Sequence, residues 1–276
     1  ERCTSHLGQI ISGGETWFAR SLATMSDDLR ACRPTVFFAV PRVWEKFEQA
    51  VEDELAGAPR PVRALADRLL DLGHADVAAR EGAQPLAWRH RLAHRVLDRT
   101  VGARIRRRMG LDRGRIYVSA AAPVHPDLLR WFHAIGIPIA EVYGQTEDCG
   151  PTTMNRPGRI RIGTVGEPLP GVEVRIAADG EVLVHGPNVC AGYWHDPEAT
   201  AALVEGGWMH SGDLGTLEGG YLRIIGRKKD LIVTSSGKNI APQDMETWLR
   251  AEPFISQAVV VGDGRRYLTA LLTLDN

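Results

Sequence analysis

The chain has 276 residues with a formal net charge of −1, 44% hydrophobic and 24% charged residues. That balance excludes a disordered polyelectrolyte, and the near-zero net charge gives no global field that would draw nucleic acid or anionic lipid to the whole molecule. No apolar run reaches the roughly 18–20 residues of a spanning helix, and Cys3, Cys32, Cys149 and Cys190 lack metal-site or redox spacing, so reduced thiols in a cytoplasmic protein are expected.

In chain order, Pro34 to Val40 is a β-branched and aromatic run bounded by prolines, which predicts a buried strand. Pro41 then opens a helix reaching about Leu55, with Val43, Trp44, Phe47, Ala50, Val51 and Leu55 recurring on a core-facing side. Residues 58–110 are predicted helical and strongly basic, including Arg89, Arg91, Arg95, Arg99, Arg104, Arg106, Arg107 and Arg108, with Leu86, Leu92, Val96, Leu97, Val101 and Ile105 as an apolar stripe. Three readings of this stretch stay open: a solvated helical face, a peripheral membrane contact through 85–109, or a patch for an anionic ligand or nucleic acid.

A second strand, Arg115 to Ser119, leads into the small-residue loop Ala120–Pro123. A helix follows from Asp127 to Ile135, and a third strand from Pro138 to Tyr143. Gly144 to Glu147 therefore fall just past the carboxyl end of a strand, where open parallel sheets place their ligands. After Pro151 short strands alternate with Gly and Pro turns: Val172 to Ile176 and Glu181 to His185 around Asp179-Gly180, then Asp213 to Leu217 and Tyr221 to Ile225 around Glu218-Gly219-Gly220. From Asp230 the pattern is strand (231–233), glycine loop, helix (242–251) and two strands (258–261, 268–274). The fold class expected is α/β: part of a large α/β domain over 1–150, a β-rich subdomain over 151–227, and the start of a small α+β carboxyl-terminal domain over 228–276.

Three turn-like clusters carry chemistry: Tyr143-Gly144-Gln145-Thr146-Glu147, Ser211-Gly212-Asp213 and Gly226-Arg227-Lys228-Lys229-Asp230. A hydroxyl beside a carboxylate suits a metal-bound phosphate, a lone Asp after Gly suits a sugar diol, and an Arg after Gly suits phosphate or ribose oxygens. Each has a plainer reading: Tyr143 as core, Thr146 and Glu147 as a capped turn, Asp213 as a hairpin-turn residue, Lys228 and Lys229 as solvated charges. Gly13-Gly14 lacks the following Lys-Ser or Lys-Thr of a phosphate loop.

Together with RPTVFFAVPRVWEKF (33–47) and GRKKDLIVTSSGKNIAP (226–242), these clusters make the chain resemble the adenylate-forming acyl-CoA synthetases, closest to the long-chain fatty acyl-CoA ligases. The resemblance implies that Ala121, Ala122 and Pro123 lie against adenine, that Tyr143 stacks on the base, and that Gly144 and Gln145 shape the same wall. It implies that Thr146 touches the α-phosphate, Glu147 helps to hold Mg²⁺, Asp213 accepts the ribose hydroxyls and Arg227 reaches ribose and phosphate oxygens. Thr146, Glu147 and Arg227 are the catalytic candidates. Lys229 and Asp230 match a hinge, and Ser236, Gly237 and Lys238 a loop that approaches CoA. The implied substrates and cofactors are a fatty acid, ATP, Mg²⁺ and CoA, with no nucleic acid; the oligomeric state is left open. The 72 residues between Lys46 and Ser119 resemble the longer connection of long-chain enzymes. The alternatives are delivery of the acyl group to a carrier protein, and a non-catalytic nucleotide- or membrane-binding remnant.

The resemblance further implies a Ser/Thr/Gly-rich phosphate loop before residue 1 and a catalytic lysine beyond Asn276, so the expectation is an internal fragment with little adenylation activity of its own. Ala120, where relatives often carry Gly, is expected to be strained if its φ is positive.

Overall fold

The structure is a computed structural model that describes residues 8–21, 24–82, 86–252 and 254–274; Cys3 and the first residue of the 85–109 stretch lie outside them. The chain divides into two compact units, 1–122 with 126–140 and 123–125 with 141–276.

The first unit contains α1 (Gly8–Ser12), α2 (Met25–Cys32), β1 (Val36–Ala39), α3 (Pro41–Ala56), α4 (Arg60–Arg80), α5 (Trp88–Leu97), a π-helical turn (Asp98–Gly102), α6 (Ala103–Met109), β2 (Ile116–Ser119), α7 (Pro126–Ala134) and the first two residues of β3 (Ile139–Tyr143). β1 and β2 pair in parallel, Val36 opposite Ile116. Pro41 fills the first turn of α3, where a missing N–H costs nothing, and Trp44 and Phe47 project one turn apart into the core. Trp44 is fully buried, edge-on to Phe37 and Phe132 with centroids 5.2 and 5.1 Å apart.

The expected buried strand at 34–40 is corrected: Val36 and Phe38 are exposed and only Ala39 is buried. β1 ends the strand order, with β2 as its one partner among the described residues, and Val36 and Phe38, two residues apart on one face of the strand, are the exposed pair. Ala50, expected on the core side of α3, is exposed as well. In 58–110 the apolar stripe splits: Ile105 is buried, whereas Leu92 and Val96 face outward.

The second unit continues β3 into β4 (Thr153–Met154) and β5 (Glu167–Pro168), all antiparallel. A second sheet follows from β6 (Glu173–Ile176), β7 (Glu181–His185), β9 (Trp208–Glu218) and β10 (Tyr221–Arg227), ordered β10-β9-β7-β6, with β8 (Val204–Glu205) beside β9 after the short α8 (Pro197–Leu203). Val182, Val184, Leu203, Met209 and Leu222 form its apolar core. Asp179-Gly180 turns the β6–β7 hairpin as its sequence predicts. The β9–β10 hairpin carries an extra residue, Ile225: Ile224 pairs with Gly215, but Gly226 pairs with Leu214 and Arg227 with Asp213. β11 (Ile232–Val233), β12 (Asn239–Ile240), α9 (Gln243–Arg250), β13 (Ile255–Val261) and β14 (Thr269–Leu274) complete the unit. No described helix is long and apolar enough to cross a membrane.

Candidate functional site

Tyr143 ends β3 with its ring against the apolar core of the second sheet. Its hydroxyl donates to Asp213 Oδ2 at 2.7 Å, and Gln145 Nε2 donates to the same oxygen at 2.6 Å while also reaching the Ser211 carbonyl at 2.9 Å. The other oxygen, Asp213 Oδ1, lies 3.2 Å from Arg227 Nε. The Asp213 side chain is 6% exposed and that of Arg227 is 50% exposed. One carboxylate oxygen is thus saturated by two neutral donors, and the other faces a half-exposed guanidinium with acceptor capacity to spare. Burial, then the Asp213 charge, pushes the Tyr143 phenol well above its ordinary range, so it stays a donor.

Asp213 lies inside β9, opposite Arg227, which rules out the hairpin-turn reading. Because the Ile225 bulge adds one residue to β10, Arg227 rather than Gly226 meets the carboxylate; opposite charges directly across a ladder stabilise the pairing.

The 144–150 loop is closed by a residue that the motif reading passed over. Buried Asp148 accepts from Gln145 N at 2.6 Å and from the Thr152 hydroxyl at 2.5 Å. Burial raises the Asp148 carboxyl above its usual range, against the pull of these donors. The loop doubles back so tightly that a Cβ on Gly144 would sit 1.6 Å from the Gly150 carbonyl oxygen, so no larger residue fits there. The short polar side chain of Asp three residues after Gln145 is the signal that could have exposed this role.

Thr146 is exposed on the turn and Glu147 is half-buried. Tyr193, from the Gly192-Tyr193-Trp194 run, donates its hydroxyl to Glu147 Oε1 at 2.8 Å, and Cys190 N donates to the Glu147 carbonyl at 2.7 Å. Among the described residues there is no group of three or more His, Cys, Asp or Glu side chains that could hold a metal by themselves. A single carboxylate suits an ion such as Mg²⁺ that arrives with substrate phosphates and keeps most of its own shell, so the donor set fits Mg²⁺.

Glu181 is the second residue that the motifs did not reveal. Its buried carboxylate accepts from His210 Nδ1 at 3.1 Å, Gly212 N at 2.9 Å and Lys228 Nζ at 3.2 Å. Burial pushes this carboxyl up, but the three donors outweigh it and hold the group below its usual range. Lys228 also binds Asp179 at 2.6 Å, so it is an anchored cation even though its side chain is 49% exposed. Glu181 thereby ties the backbone before Asp213 to the residue after Arg227.

Lys229 and Asp230 are exposed on a 3₁₀ turn, and Ser236, Gly237 and Lys238 cap the β11–β12 hairpin, where Lys238 N donates to the Thr234 hydroxyl at 3.1 Å. Among the described residues none of these five bonds to the Asp213 carboxylate. Ala121, Ala122 and Pro123 are exposed. Positive φ falls on Ala121 (75°) and not on Ala120, so the strain expected at residue 120 sits one residue later.

Comparison with known proteins gives this geometry a setting. Residues 1–194 match the model of the AMP-binding enzyme family, and residues 229–276 match the AMP-binding enzyme C-terminal domain. The chain is 40% identical over 261 residues to the long-chain-fatty-acid–CoA ligase FadD15 of Mycobacterium bovis, covering 94% of this chain and 42% of that protein. It is 39% identical to the putative fatty-acid–CoA ligase fadD11 of Mycobacterium tuberculosis over 100% of this chain and 49% of that one. The chain therefore spans less than half the length of these relatives. Among solved structures, the O-succinylbenzoate CoA synthetase MenE of Bacillus subtilis in complex with AMP aligns with a TM-score of 0.55 and 31% identity, over 60% of this chain and 37% of that chain. The same enzyme with its acyl-adenylate intermediate aligns over 98% of this chain and 48% of that one with a TM-score of 0.67, at 22% identity a likeness of fold. By the match across residues 1–194, the chain belongs to the AMP-binding enzyme family.

Proposed function

We propose that the protein activates a long-chain fatty acid with ATP and passes the acyl group to CoA. A carboxylate oxygen of the acid attacks the α-phosphorus, and the bond to the bridging oxygen breaks, releasing pyrophosphate and leaving an acyl-adenylate. The CoA thiol then attacks the acyl carbonyl, loses its proton, and AMP departs. The observation that carries this reading is the buried Asp213 carboxylate, held by Tyr143 and Gln145 on one oxygen and facing Arg227 with the other.

In this reading the two ribose hydroxyls donate to Asp213, and since Oδ2 already has two donors they engage Oδ1 and draw the Arg227 guanidinium aside toward phosphate oxygens. Tyr143 and its neighbours Gly144 and Gln145 form the base wall. Thr146 supplies a hydroxyl to the α-phosphate. Glu147, oriented by Tyr193, holds Mg²⁺; when bound, this ion neutralises phosphate charge. Fixing the acid in line with phosphorus and neutralising the charge that repels it are the two contributions such a site can make.

The assignment to long-chain acids is supported by the name of the relative FadD15, a long-chain-fatty-acid–CoA ligase, and by the long helical connection of α3 to α6. We also infer a core over 1–150, a β-rich subdomain over 151–227 and a small domain from 228 that pivots at Lys229-Asp230 to bring Ser236, Gly237 and Lys238 toward CoA. The test uses a protein that carries this chain at the full length of its relatives. Palmitate-dependent exchange of labelled pyrophosphate into ATP, followed by palmitoyl-CoA formation, is expected. Exchange supported equally by acetate would overturn the long-chain assignment, and no acid-dependent exchange would overturn the activity.

A further inference from the structure

The helix α5 presents a face that the nucleotide site does not use. Trp88, Leu92 and Val96 follow one another at four-residue spacing, so they stack along one side of the helix, and they are 64%, 51% and 54% exposed. α5 buries none of its residues. Its opposite side turns inward: His94 Nε2 meets the Ala134 carbonyl at 3.1 Å, and Leu97 is half-buried. Arg89, Arg91, Arg95 and Arg99 are all exposed and border the apolar stripe on both edges, with the Arg89 guanidinium 5.5 Å from the centre of the Trp88 ring. α5 has no carboxylate, and the nearest one after it, Asp98, is paired with Arg106.

We propose that α5 is a membrane-surface helix that lies flat on a bilayer carrying anionic headgroups. A row of three large apolar side chains in water is costly unless something covers it. The covering partner must accept an indole, a leucine and a valine at one depth and four guanidinium groups around them at a shallower one. A lipid interface does both: its acyl boundary takes the stripe, Trp favours the headgroup level, and anionic phosphates meet arginines whose aliphatic stems reach up to them. The charge of the patch is single-signed although that of the whole chain is −1, so the attraction is local and sensitive to salt. No described helix can cross the membrane, so the contact is with one leaflet. Of the three readings open from sequence, this face favours the lipid one, because a merely solvated helix would not line three large apolar residues along its outer side.

The test is co-sedimentation of the whole chain with vesicles of pure phosphatidylcholine and of phosphatidylglycerol-enriched composition. Binding to the anionic vesicles should exceed binding to the neutral ones by roughly tenfold or more and fall as salt is raised. Arg91→Glu with Arg95→Glu should weaken it by a further order of magnitude, with the far-ultraviolet circular dichroism unchanged. Brominated acyl chains should quench tryptophan emission of the parent chain and of Trp194→Phe, but not of Trp88→Phe. The proposal is overturned by absence of binding, by binding indifferent to headgroup charge, or by quenching that survives Trp88→Phe. Self-association in lipid-free buffer that Leu92→Ser abolishes would also overturn it and assign the face to a second copy of the chain.

Discussion

At Asp213 the two oxygens of one carboxylate have different surroundings, and removing the charge while keeping the shape separates their roles. Asp213→Asn retains an acceptor for Tyr143 but loses the attraction to Arg227 and the charged acceptor proposed for the ribose hydroxyls. With about 1.5–3 kcal/mol for hydrogen bonds to a charged group, AMP affinity should drop roughly 10- to 100-fold in calorimetric titration. An unchanged dissociation constant would take Asp213 out of the site. A second carboxyl at this scale reports on stability. Burial pushes Glu141 up to about 8 from its ordinary 4.5, against the opposing pull of the Gly163 N–H at 3.3 Å and of Arg223. Between those values the folded chain keeps a proton that the unfolded chain has lost, so folding stability declines as pH rises from about 4.5 to 8 and then levels off. Glu141→Gln should remove that slope, gaining on the order of 1–3 kcal/mol at pH 8 and almost nothing near pH 4 in urea unfolding. An identical pH slope in the variant would show that Glu141 ionises freely.

Among the elements, the pair α4 and α7 makes the sharpest structural test. A Cβ on Gly73 would lie 2.5 Å from the Ala134 carbonyl oxygen, so the two helices meet at a point where only a hydrogen fits. Gly73→Ala must push them apart; although Ala favours helix, the overpacking should cost about 1–3 kcal/mol in thermal unfolding. A stabilised variant would mean that the helices are free to separate there. The elements also show which parts of the fold the residues declared in advance. The β6–β7 hairpin was legible because Asp179-Gly180 separates two alternating runs, and α3 because Pro41 opens a periodic stretch. The exposure of Val36 and Phe38 was not, since an apolar strand reads the same whether or not anything packs on it. α8 went unread although Asp196 caps it by accepting from Ala199 N at 2.9 Å, because seven residues carry little periodicity.

For the molecule as a whole, the division into two units does not follow chain order: residues 123–125 belong with 141–276, and 126–140 with the segment before them. Period and propensity are local quantities and cannot announce such an exchange. The site shows the same limit. Tyr143, Gln145, Asp213 and Arg227 were nameable because each sits in a motif, whereas the bond from Tyr193 to Glu147 joins residues 46 positions apart that no motif links. Since Asp213 and Arg227 both lie in the second unit, AMP at a hundred times its dissociation constant should stabilise that unit by about 2.7 kcal/mol if it binds only the folded form. Hydrogen exchange should then slow in β9 and β10, while amides of α3 and α4 keep their rates. Uniform slowing across both units would tie the ligand's effect to the entire chain, and no slowing would leave the second unit without a nucleotide.

The surplus residue at Ile225 turns the meeting of Arg227 with Asp213 into a matter of counting. Deleting Ile225 straightens the ribbon yet still delivers the guanidinium opposite the carboxylate. Ironing the bulge flat with all residues kept would instead deliver Gly226 there and strand Arg227 against Gly212. Lineages descended from this chain can lose a codon at that one place in the strand and keep the partnership, so the bulge is where length polymorphism should accumulate.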